Sequence, residues 1–387
     1  MDALEILKQL VAIPSVNPMC ADSGKAPERE ITDYIEGLLR RESIDCERQS
    51  VVDGRENLIA FISGSTADHK SRSGGLLLSS HMDTVPVANM TIPPFEPVVR
   101  DGKLYGRGSC DAKGPMAAML AAFLNHVGRP QRRQPVVLLA TVDEEFSFSG
   151  SRKFIARSWP IAAAVVGEPT QLTNVVAHKG VVRWKLEVRG ISAHGATPAL
   201  GRSAIYDGAR IALLLEEYAD ELQAQQKHPL LGGPTLNVGR VSGGQAVNMV
   251  PDRCVFEIDR RLLPGETGLQ ALRECEQWLQ HRLGNRLEFR LDDPFLADPA
   301  LETHETAQVL EAIRQAEQFV LGSPSPSLGA HYSTDGSKFA AVGIETIVCG
   351  PGDVAQAHTN AEYIEIEQME HAVRLYDRLL QNWGADG

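Results

Sequence analysis

The chain has 387 residues, which is too long for a single ordinary hydrophobic core, so two domains are expected. Its 43% hydrophobic and 23% charged residues are typical of a soluble globular protein. The formal net charge of −12 argues against a nucleic-acid-binding protein, because such proteins need a basic face.

The six cysteines are scattered along the chain, and none lies in a Cys-x-x-Cys pair. This pattern is neither a zinc-finger nor a disulfide framework, and it predicts reduced thiols in a cytoplasmic protein. The N-terminal residues include Asp2 and Glu5 and lack the basic-then-apolar order of a signal peptide. No apolar run approaches the roughly 20 residues that a membrane helix needs, so we predict no membrane association.

The first part of the chain predicts a βαβ sheet. Apolar residues at helical spacing indicate an amphipathic helix over 2–12, which ends near Pro14. From there to about residue 175, apolar strands alternate with helices, of which 113–126 is apolar on most sides and is predicted to be buried. Short apolar runs bounded by turn residues predict buried parallel strands, and these runs are 76–78, 136–140 and 163–166.

The pattern changes near residue 178. In 181–189, apolar and polar residues alternate, which indicates a strand with one face in water. The elements that follow are a helix at 201–226, strands at 234–242 and 252–262, a helix at 266–283 and a strand at 287–291. The order β-α-β-β-α-β is that of the ferredoxin-like motif. We therefore predict that 178–292 is an inserted lid and dimerisation domain.

The α/β pattern returns after about residue 295. The predicted elements are a helix at 304–318, a loop at 322–329, a strand at 344–348 and a closing helix with Ile366, Met369, Val373, Tyr376 and Leu380 on one stripe. The catalytic domain is thus expected to be discontinuous, made of 1–177 and 293–387. The predicted fold class is α/β, with a mixed, mainly parallel sheet, helices on both of its faces and an inserted ferredoxin-like α+β domain.

Histidine and acidic residues follow the predicted parallel strands. They are His81 and Asp83 after the first run, Asp143, Glu144 and Glu145 after the second, and Glu168 after the third. Since the carboxyl ends of the strands meet at one edge of the sheet, these side chains are expected to lie together. Asp111 and His358 complete a set of two histidines and several carboxylates, which is how hydrolases hold paired divalent metals.

Each candidate also has a simpler interpretation. His81 could lie in an ordinary turn at a strand end, and His358 in a surface loop. Asp111 could be the N-cap of the helix 113–126, since aspartate is a preferred N-cap, and it could be both cap and ligand. The acidic run 143–145 could be a solvated turn. Asp83 lies two residues after His81, where in an extended chain its carboxylate could accept the second ring N–H.

Short motifs along nearly the whole chain occur in the same order as in a known family. They are 11–18 (VAIPSVNP), 81–86 (HMDTVP), 101–108 (DGKLYGRG), 111–114 (DAKG), 143–145 (DEE), 167–170 (GEPT), 192–194 (SAH), 248–251 (NMVP), 350–352 (GPG) and 357–358 (AH). Together they resemble the M20 metallopeptidase family. The stretches Gly167–Thr170 and Ala177–Gly180 are most similar to the branch of acetylornithine deacetylase and succinyl-diaminopimelate desuccinylase.

The resemblance implies a dinuclear centre, with Zn²⁺ expected and Co²⁺ or Mn²⁺ as alternatives. In this family pattern the first metal is held by His81 and Glu168, the second by Glu145 and His358, and Asp111 bridges both. Glu144 is then the general base, and Asp83 orients His81. The resemblance further implies a cis peptide bond after Asp111.

The resemblance also implies roles for residues outside this centre. His194, in the inserted domain, would reach the active site of the second subunit of a homodimer and stabilise the oxyanion there. Asn248 and Arg261 would grip the substrate carboxylate, and arginine suits this because its guanidinium forms two parallel hydrogen bonds. The Gly350–Gly352 turn is either an ordinary turn or a close approach of backbone to substrate.

The stretch 331–335 departs from many relatives, which have two small residues at its start. Here Tyr332 should narrow the pocket around the substrate's side chain or acyl group, and the Tyr332-x-Thr334 pattern is closer to acetylornithine deacetylase than to the desuccinylase. Both residues are therefore predicted to contact the substrate.

The expected activity is removal of an acyl group from a small N-acyl amino acid, with N-acetylornithine as the leading substrate and a role in arginine biosynthesis. Alternatives are succinyl-diaminopimelate and the substrates of M20 aminoacylases, dipeptidases and carboxypeptidases. A different possibility is an inactive family member that acts as a binding protein. A thiol hydrolase using Cys110 is a third, without further support in the sequence.

Overall fold

The structure is a computed structural model that describes residues 2–18, 27–52, 54–64, 74–129, 134–225, 227–284 and 286–384. The helices are α1 (Ala3–Ala12), α2 (Arg29–Arg41), α3 (Lys113–His126), α4 (Ser149–Ile155), α5 (Ala204–Gln225), α6 (Gly268–Leu283), α7 (Gln308–Val320), α8 (Gly336–Ala341) and α9 (Ile366–Asn382). The strands are β1 (Asp45–Val52), β2 (Arg55–Ile62), β3 (Gly75–His81), β4 (Val98–Arg100), β5 (Lys103–Tyr105), β6 (Val136–Thr141), β7 (Ile161–Val166), β8 (Asn174–His178), β9 (Gly180–Arg189), β10 (Ala193–His194), β11 (Thr235–Gly243), β12 (Met249–Val250), β13 (Arg253–Leu262), β14 (Glu288–Leu291), β15 (Leu296–Asp298), β16 (Leu301–Glu302), β17 (Ser327–Ala330), β18 (Glu345–Val348) and β19 (Tyr363–Glu365).

The chain forms two compact units. Unit 1 comprises Met1–Val176, Thr303–Leu328 and Thr334–Gly387, and unit 2 comprises Ala177–Glu302 and Gly329–Ser333. Within the described residues, no helix has both the length and the apolar character needed to cross a bilayer.

The sheet of unit 1 is parallel at its centre and antiparallel at its edges. Its strands follow the order β1-β2-β6-β3-β7-β18-β8, and β6, β3, β7 and β18 are mutually parallel. The hairpin of β1 and β2 joins β6 in antiparallel fashion, and β8 is antiparallel to β18. The three predicted parallel strands are therefore confirmed, whereas the β1–β2 hairpin was not predicted.

Helices cover both faces of this sheet, as predicted. Leu76 and Leu78 of β3 belong to a core that includes apolar residues of α1, α2, α3, α7 and α9. Leu77, between them, is equally buried and points to the opposite face, because side chains alternate along a strand. On another part of unit 1, Phe154 of α4 meets Phe339 of α8 edge to face, with ring centroids 5.9 Å apart.

Helix α3 is buried on nearly all sides, as its sequence predicts. Every residue from Lys113 to His126 except Asn125 is buried. Gly114 in its first turn lets another chain segment come close, since a Cβ there would lie 2.4 Å from the carbonyl oxygen of Ser109. The start of α3 is thus packed tightly against the loop that carries Asp111.

Unit 2 has the predicted ferredoxin-like topology. Its sheet follows the order β11-β13-β9-β14, with antiparallel pairing throughout, and β15 also pairs with β9. The apolar residues Val182, Trp184, Leu186 and Val188 of β9 are fully buried against the helices α5 and α6. Lys185 and Arg189 on the opposite face are exposed, which confirms the alternation seen in the sequence.

Several element boundaries differ from the prediction, among them the start of α5, which is Ala204 rather than residue 201. Helix α7 starts at Gln308 rather than at 304, because the ring Nδ1 of His304 accepts the backbone N–H of Thr306 at 3.2 Å and forms a turn first. The end of the predicted loop 322–329 lies in the strand β17.

Candidate active site

Three neighbouring parallel strands deliver the predicted side chains to one edge of the sheet in unit 1. His81 is the last residue of the middle strand, β3. The turn that contains Glu144 and Glu145 follows β6, and Glu168 follows β7, the two strands paired with β3. The expectation that carboxyl ends of parallel strands bring these residues together is confirmed.

The carboxylate of Asp111 lies between two histidines. Its Oδ1 is 3.0 Å from Nε2 of His81, and its Oδ2 is 3.3 Å from Nε2 of His358. Each carboxylate oxygen therefore faces a different imidazole. His358 has a left-handed backbone conformation (φ 62°), in a loop that follows the turn Gly350–Gly352.

The Nε2 atom of each histidine also lies near one further carboxylate. Nε2 of His358 lies 3.2 Å from Oε2 of Glu145, and Nε2 of His81 lies 3.9 Å from Oε2 of Glu168. Ligand atoms of His81, Asp111 and Glu145 all lie within 4.8 Å of one another. The structure thus brings together the five residues predicted as metal ligands, in two groups that share Asp111.

The pKa values in this cluster reflect an excess of buried negative charge. Burial raises the pKa of Glu168, and nearby Asp111 raises it further, while His81 opposes the rise. Hydrogen bonds to Asp111 and Glu145 raise the pKa of His358 to about 10. Burial disfavours protonated His81, but the hydrogen bond to Asp111 and the charge of Glu168 outweigh it and raise its pKa.

Asp111 behaves differently from the other carboxylates. Burial alone would raise its pKa, but the hydrogen bonds from His358 and His81 lower it well below the usual range for aspartate. Asp111 is therefore ionised, with both oxygens directed at nitrogen atoms.

The donor set fits two divalent cations. Imidazole nitrogen and carboxylate oxygen are the usual ligands of Zn²⁺ in hydrolases, which commonly leave positions open for water and substrate. Here the carboxylates of Asp111, Glu145 and Glu168 outnumber the two histidines, so bound cations would offset a buried negative charge. His81 and Glu168 would hold one cation, His358 and Glu145 the other, with Asp111 between them.

Glu144 is buried beside this cluster, and it is not one of the five residues predicted as metal ligands. Burial raises the pKa of Glu144 well above its ordinary value, and the charges of Glu168 and Asp335 raise it further, against the opposing effect of His81. A carboxyl group with a raised pKa can accept and return a proton near neutral pH.

Glu144 and Glu145 lie in a turn. Asp143 begins this turn with a left-handed conformation (φ 65°). The turn separates the two side chains, so that Glu145 meets His358 while Glu144 faces the charges of His81 and Glu168.

Asp83 does not orient His81 in the way that the spacing predicted. Nδ1 of His81 lies 2.9 Å from the backbone carbonyl oxygen of Asp83, whereas the Asp83 carboxylate is 3.7 Å away. The carboxylate instead accepts the backbone N–H groups of Glu144 at 3.2 Å and Glu145 at 3.1 Å. Asp83 therefore holds the turn that presents both glutamates.

A buried polar network extends from Asp83 away from the cluster. Nδ2 of Asn17 donates to Asp83 at 2.7 Å and to Asp143 at 3.0 Å. Arg55 donates to Asp143 at 2.9 Å and also pairs with the fully buried Glu28. The acidic residue Asp143 is thus a buried anchor of the turn, and the interpretation of 143–145 as a solvated turn is wrong.

The start of α3 shows that Asp111 is not a helix cap. The N-cap residue is Ala112, and no side chain makes a capping hydrogen bond there. The carboxylate of Asp111 is directed at the two histidines instead. The peptide bond between Asp111 and Ala112 is cis, as the resemblance implied.

The turn Gly350–Gly352 packs against the segment that follows Glu168. A Cβ on Gly350 would lie 2.6 Å from the carbonyl oxygen of Glu168, and the backbone N–H of Leu172 donates to the carbonyl oxygen of Gly350 at 2.9 Å. Close packing against the backbone of unit 1 explains the glycine at 350, and the approach of this turn to substrate stays a prediction.

His194 and Asn248 are neighbours within unit 2. His194 lies in β10, which pairs with β12, and the N–H of Gly195 donates to the carbonyl oxygen of Asn248 at 2.7 Å. The His194 side chain is exposed, and its Nδ1 accepts the N–H of Ala196 at 3.0 Å. The neutral ring therefore carries its hydrogen on Nε2, which is left as a donor.

The remaining predicted substrate contacts have different surroundings. Nε of Arg261 donates to Asp259 at 2.8 Å on the same strand of unit 2, so part of its guanidinium is engaged. Tyr332 is half-buried in unit 2. Thr334, in unit 1, is buried, and its hydroxyl accepts the N–H of Gly336 at 3.1 Å at the start of α8. The roles of these three residues in substrate binding stay predictions.

Residues 77–382 match the sequence profile described as Peptidase family M20/M25/M40. The chain belongs to this family. The match covers most of β3, all of β6 and β7, and the residues His81, Asp111 and His358.

Sequence relatives of this chain include acetylornithine deacetylases. The enzyme from Proteus mirabilis (strain HI4320) is 31% identical over 392 residues, which is 98% of this chain and 96% of that protein. The enzyme from Myxococcus xanthus is 30% identical over 354 residues, 89% of each chain.

Solved structures of M20 proteins share the fold. An M20 metallo-carboxypeptidase from Sulfolobus solfataricus has a TM-score of 0.78 at 19% identity and covers 99% of both chains. A Bacillus subtilis protein described as a dinuclear metal-binding peptidase of the M20 family has a TM-score of 0.70 at 17% identity and covers 98% of this chain and 96% of its own. At these identities the likeness shows the fold alone.

Sequence patterns missed several residues that support the M20 centre. Asp335 is buried and accepts the hydroxyl of Thr141 at 2.7 Å, and Arg55 and Glu28 anchor Asp143. Glu362 accepts backbone N–H groups of the Asp111 loop. Glu28, Arg55 and Glu362 lie in stretches whose local pattern carries no signal of burial, so only the folded structure reveals them.

Replacing Asp83 by asparagine should destabilise the protein by about 1.5–3 kcal/mol, the range for hydrogen bonds to charged groups. The reason is that an amide NH₂ would face the backbone N–H of Glu144 or Glu145. Urea unfolding with a chelator present measures this. Asp2→Asn is a matched control, because Asp2 accepts the N–H of Leu4 at an exposed helix N-cap, where asparagine serves equally well. An Asp83→Asn protein as stable as this control would contradict the role given to Asp83.

Proposed function

We propose that this M20 metallohydrolase removes the acyl group from a small N-acyl amino acid, with N-acetylornithine as the preferred substrate. The observation that carries the proposal is the position of Asp111, with one oxygen towards His81 and the other towards His358. A carboxylate shared in this way is suited to bridge two cations, which we propose to be Zn²⁺, with Co²⁺ as an alternative.

The residues around the bridge would share the chemistry. When bound, two divalent cations polarise a carbonyl oxygen and make water acidic enough to lose a proton near pH 7. Glu144 would take that proton as the water oxygen attacks the acyl carbon. As the carbon–nitrogen bond breaks, Glu144 would pass the proton to the leaving amine, so that one water yields a carboxylic acid and a free amine.

His194 would stabilise the oxyanion that forms when the acyl carbon becomes tetrahedral. The hydrogen bond from Ala196 to Nδ1 supports this role, since it leaves Nε2–H as a donor without requiring a charged ring. Such a donor is worth about 10²–10³-fold in rate in other hydrolases. Asn248 and Arg261 of the same unit would contact the substrate carboxylate.

The sequence relatives favour deacetylation over peptide hydrolysis. The relatives at 30–31% identity are acetylornithine deacetylases, and each aligns over most of its length. The aminopeptidase from Bacillus cereus and the metallo-carboxypeptidase from Sulfolobus solfataricus are 20% and 19% identical and support only the common fold. Tyr332 would narrow the space for the acyl group, which suits acetyl better than succinyl.

The surroundings of Cys110 argue against a thiol hydrolase. Cys110 is a buried free thiol. Burial raises the pKa of the Cys110 thiol, and the charge of Asp111 raises it further. A thiol held protonated in this way is a poor nucleophile.

A substrate panel tests the proposed function. We expect purified protein supplied with Zn²⁺ or Co²⁺ to show its highest kcat/KM with N-acetyl-L-ornithine, compared with N-succinyl-diaminopimelate, other N-acetyl amino acids and dipeptides. A higher kcat/KM for another compound of the panel would contradict N-acetyl-L-ornithine as the preferred substrate. Failure to hydrolyse any of these amides with metal present would contradict the hydrolase itself and favour a binding protein.

Changing the two adjacent glutamates should separate metal binding from proton transfer. Glu144→Gln should keep both metals and lose about 10²–10⁴-fold in kcat, because only the general base is removed. Glu145→Gln should lose mainly one metal, because Glu145 faces His358. Metal analysis and kinetics on the same preparations measure both effects. The reverse result, with metal lost only from Glu144→Gln, would exchange the two roles.

We further propose a homodimer formed through unit 2. The edge strand β11 exposes Val241, the loop that follows it exposes Val247, and Met249 of β12 is exposed as well. On α5, which packs against β11, Tyr206 and Leu213 are exposed two helical turns apart and so lie on one stripe. An unpaired sheet edge beside exposed apolar side chains is typical of a surface that a second chain covers.

If each subunit supplies His194 to its partner, two inactive variants should complement each other. After subunit exchange, a 1:1 mixture of His194→Ala and Glu144→Gln should recover about a quarter of the unmutated activity, since half of the dimers then carry one intact site of two. The matched control mixes Glu144→Gln with Glu145→Gln, where every site keeps a defect. Exchange confirmed by mass without recovery would refute the role in trans, and so would a monomeric protein.

A further inference from the structure

One buried carboxylate of unit 1 has no part in the chemistry described so far. Glu362 lies immediately before β19, is 0% exposed and does not contact the histidines of the cluster within hydrogen-bonding distance. Its surroundings are the backbone of the loop between β5 and α3, the loop that ends in Asp111. A buried carboxylate persists only where it is paired and hydrogen-bonded.

Four donors converge on Glu362. Its Oε1 accepts the backbone N–H groups of Cys110 at 2.9 Å and Asp111 at 3.0 Å. Its Oε2 accepts the backbone N–H of Gly108 at 3.0 Å and the guanidinium of Arg107 at 2.6 Å. One side chain thus satisfies three amides of the loop, and the ion pair with Arg107 balances its charge.

The fold fixes where Glu362 can reach. Strand β19 pairs with β5, with Tyr363 opposite Tyr105, so the residue before β19 faces the loop that follows β5. The backbone N–H of Gly106 donates to the carbonyl oxygen of Glu362 at 3.1 Å, which ties the start of the loop to the same residue.

The loop itself has little room to move. Gly108 has a left-handed backbone (φ 82°), and a Cβ there would lie 2.9 Å from both Lys113 and Thr84. Lys113 and Thr84 lie close to the loop on one side, and Glu362 contacts it on the other. Contacts on both sides therefore fix the position of the Asp111 backbone.

We infer that Glu362 is a positioning residue for the metal centre: by accepting the N–H of Asp111 and of two preceding residues, it fixes the Asp111 carboxylate between His81 and His358. The inference rests on the proposed dinuclear function. Since Asp111 is shared, a displaced backbone at this residue should weaken both metals together. Partners outside the ligand shell commonly change metal affinity by about 10- to 100-fold.

The test is a calorimetric Zn²⁺ titration of chelator-stripped protein, comparing the unmutated chain with Glu362→Gln. The glutamine NH₂ would face either two backbone N–H groups or the Gly108 N–H and Arg107. We expect both binding steps to weaken by about 10- to 100-fold. Hydrogen exchange in the stripped protein should become faster in the segment 106–112.

Glu317→Gln is the matched control. Glu317 is also 0% exposed and also accepts two donors, Nδ2 of Asn174 at 2.8 Å and the N–H of Ser325 at 2.8 Å, but these are remote from the Asp111 loop. Its substitution should lower thermal stability without changing either Zn²⁺ affinity. It thereby separates a general loss of stability from a displaced Asp111.

The outcomes separate this inference from the proposed function. An unmutated protein that binds no Zn²⁺ would refute the dinuclear centre. Suppose that the unmutated protein has two strong Zn²⁺ sites and that both affinities change by less than about threefold in Glu362→Gln, a change below the expected range. This result would overturn only the role of Glu362. An equal loss of Zn²⁺ affinity in Glu317→Gln would overturn that role as well. If Glu362→Gln fails to fold, Glu362→Asp is used instead, because the shorter side chain keeps the charge but cannot reach all four donors. The two Zn²⁺ affinities of that variant then test the role of Glu362 in the same way.

Discussion

Two imidazole rings approach the two oxygens of one carboxylate, that of Asp111, and the other parts of the M20 centre depend on this contact. His81 reaches it from the end of a central parallel strand, and His358 reaches it from a loop near the C-terminal end of the chain. Neither histidine could meet Asp111 without the sheet that brings these distant segments to one edge. The geometry of the centre is therefore a property of the whole of unit 1 rather than of any single motif.

Placing so many acidic groups in a buried site is unfavourable unless each has partners. The structure provides them in layers. Asp83 accepts the backbone N–H groups of Glu144 and Glu145. Asn17 donates to both Asp83 and Asp143, and Arg55 pairs with Asp143 and Glu28. Arg107 and Glu362 form a separate buried ion pair beside the loop that ends in Asp111. These partners restrict the backbone that carries the proposed metal ligands.

Much of this architecture could be predicted from the sequence. Uninterrupted apolar runs such as Leu76–Leu78 indicate strands buried on both faces, and a polar residue directly after such a run falls at the ligand-binding edge. The alternation in 181–189 likewise identified a strand of unit 2, because one of its faces is exposed. In both cases the signal is local, because the order of consecutive apolar and polar residues reflects which faces of the strand are buried.

The residues that escaped prediction depend on contacts far apart in the chain. Glu362 and Asp111 are 251 residues apart, and Arg55 and Asp143 are 88 residues apart. An isolated acidic or basic residue in a polar stretch looks the same whether it is solvated or buried, so sequence reasoning favours the solvated state. The spacing of His81 and Asp83 was misleading for a related reason. The strand ends at His81, so the alternation of an extended chain no longer places the Asp83 carboxylate beside the ring.

The most direct measurement of the central claim is an anomalous difference map, collected at the zinc absorption edge, from a crystal grown with Zn²⁺. The account predicts two peaks about 3.5–4 Å apart, one near Nε2 of His81 and the other near Nε2 of His358, with the Asp111 carboxylate between them. A single peak at full occupancy, or two peaks that do not share Asp111, would contradict it.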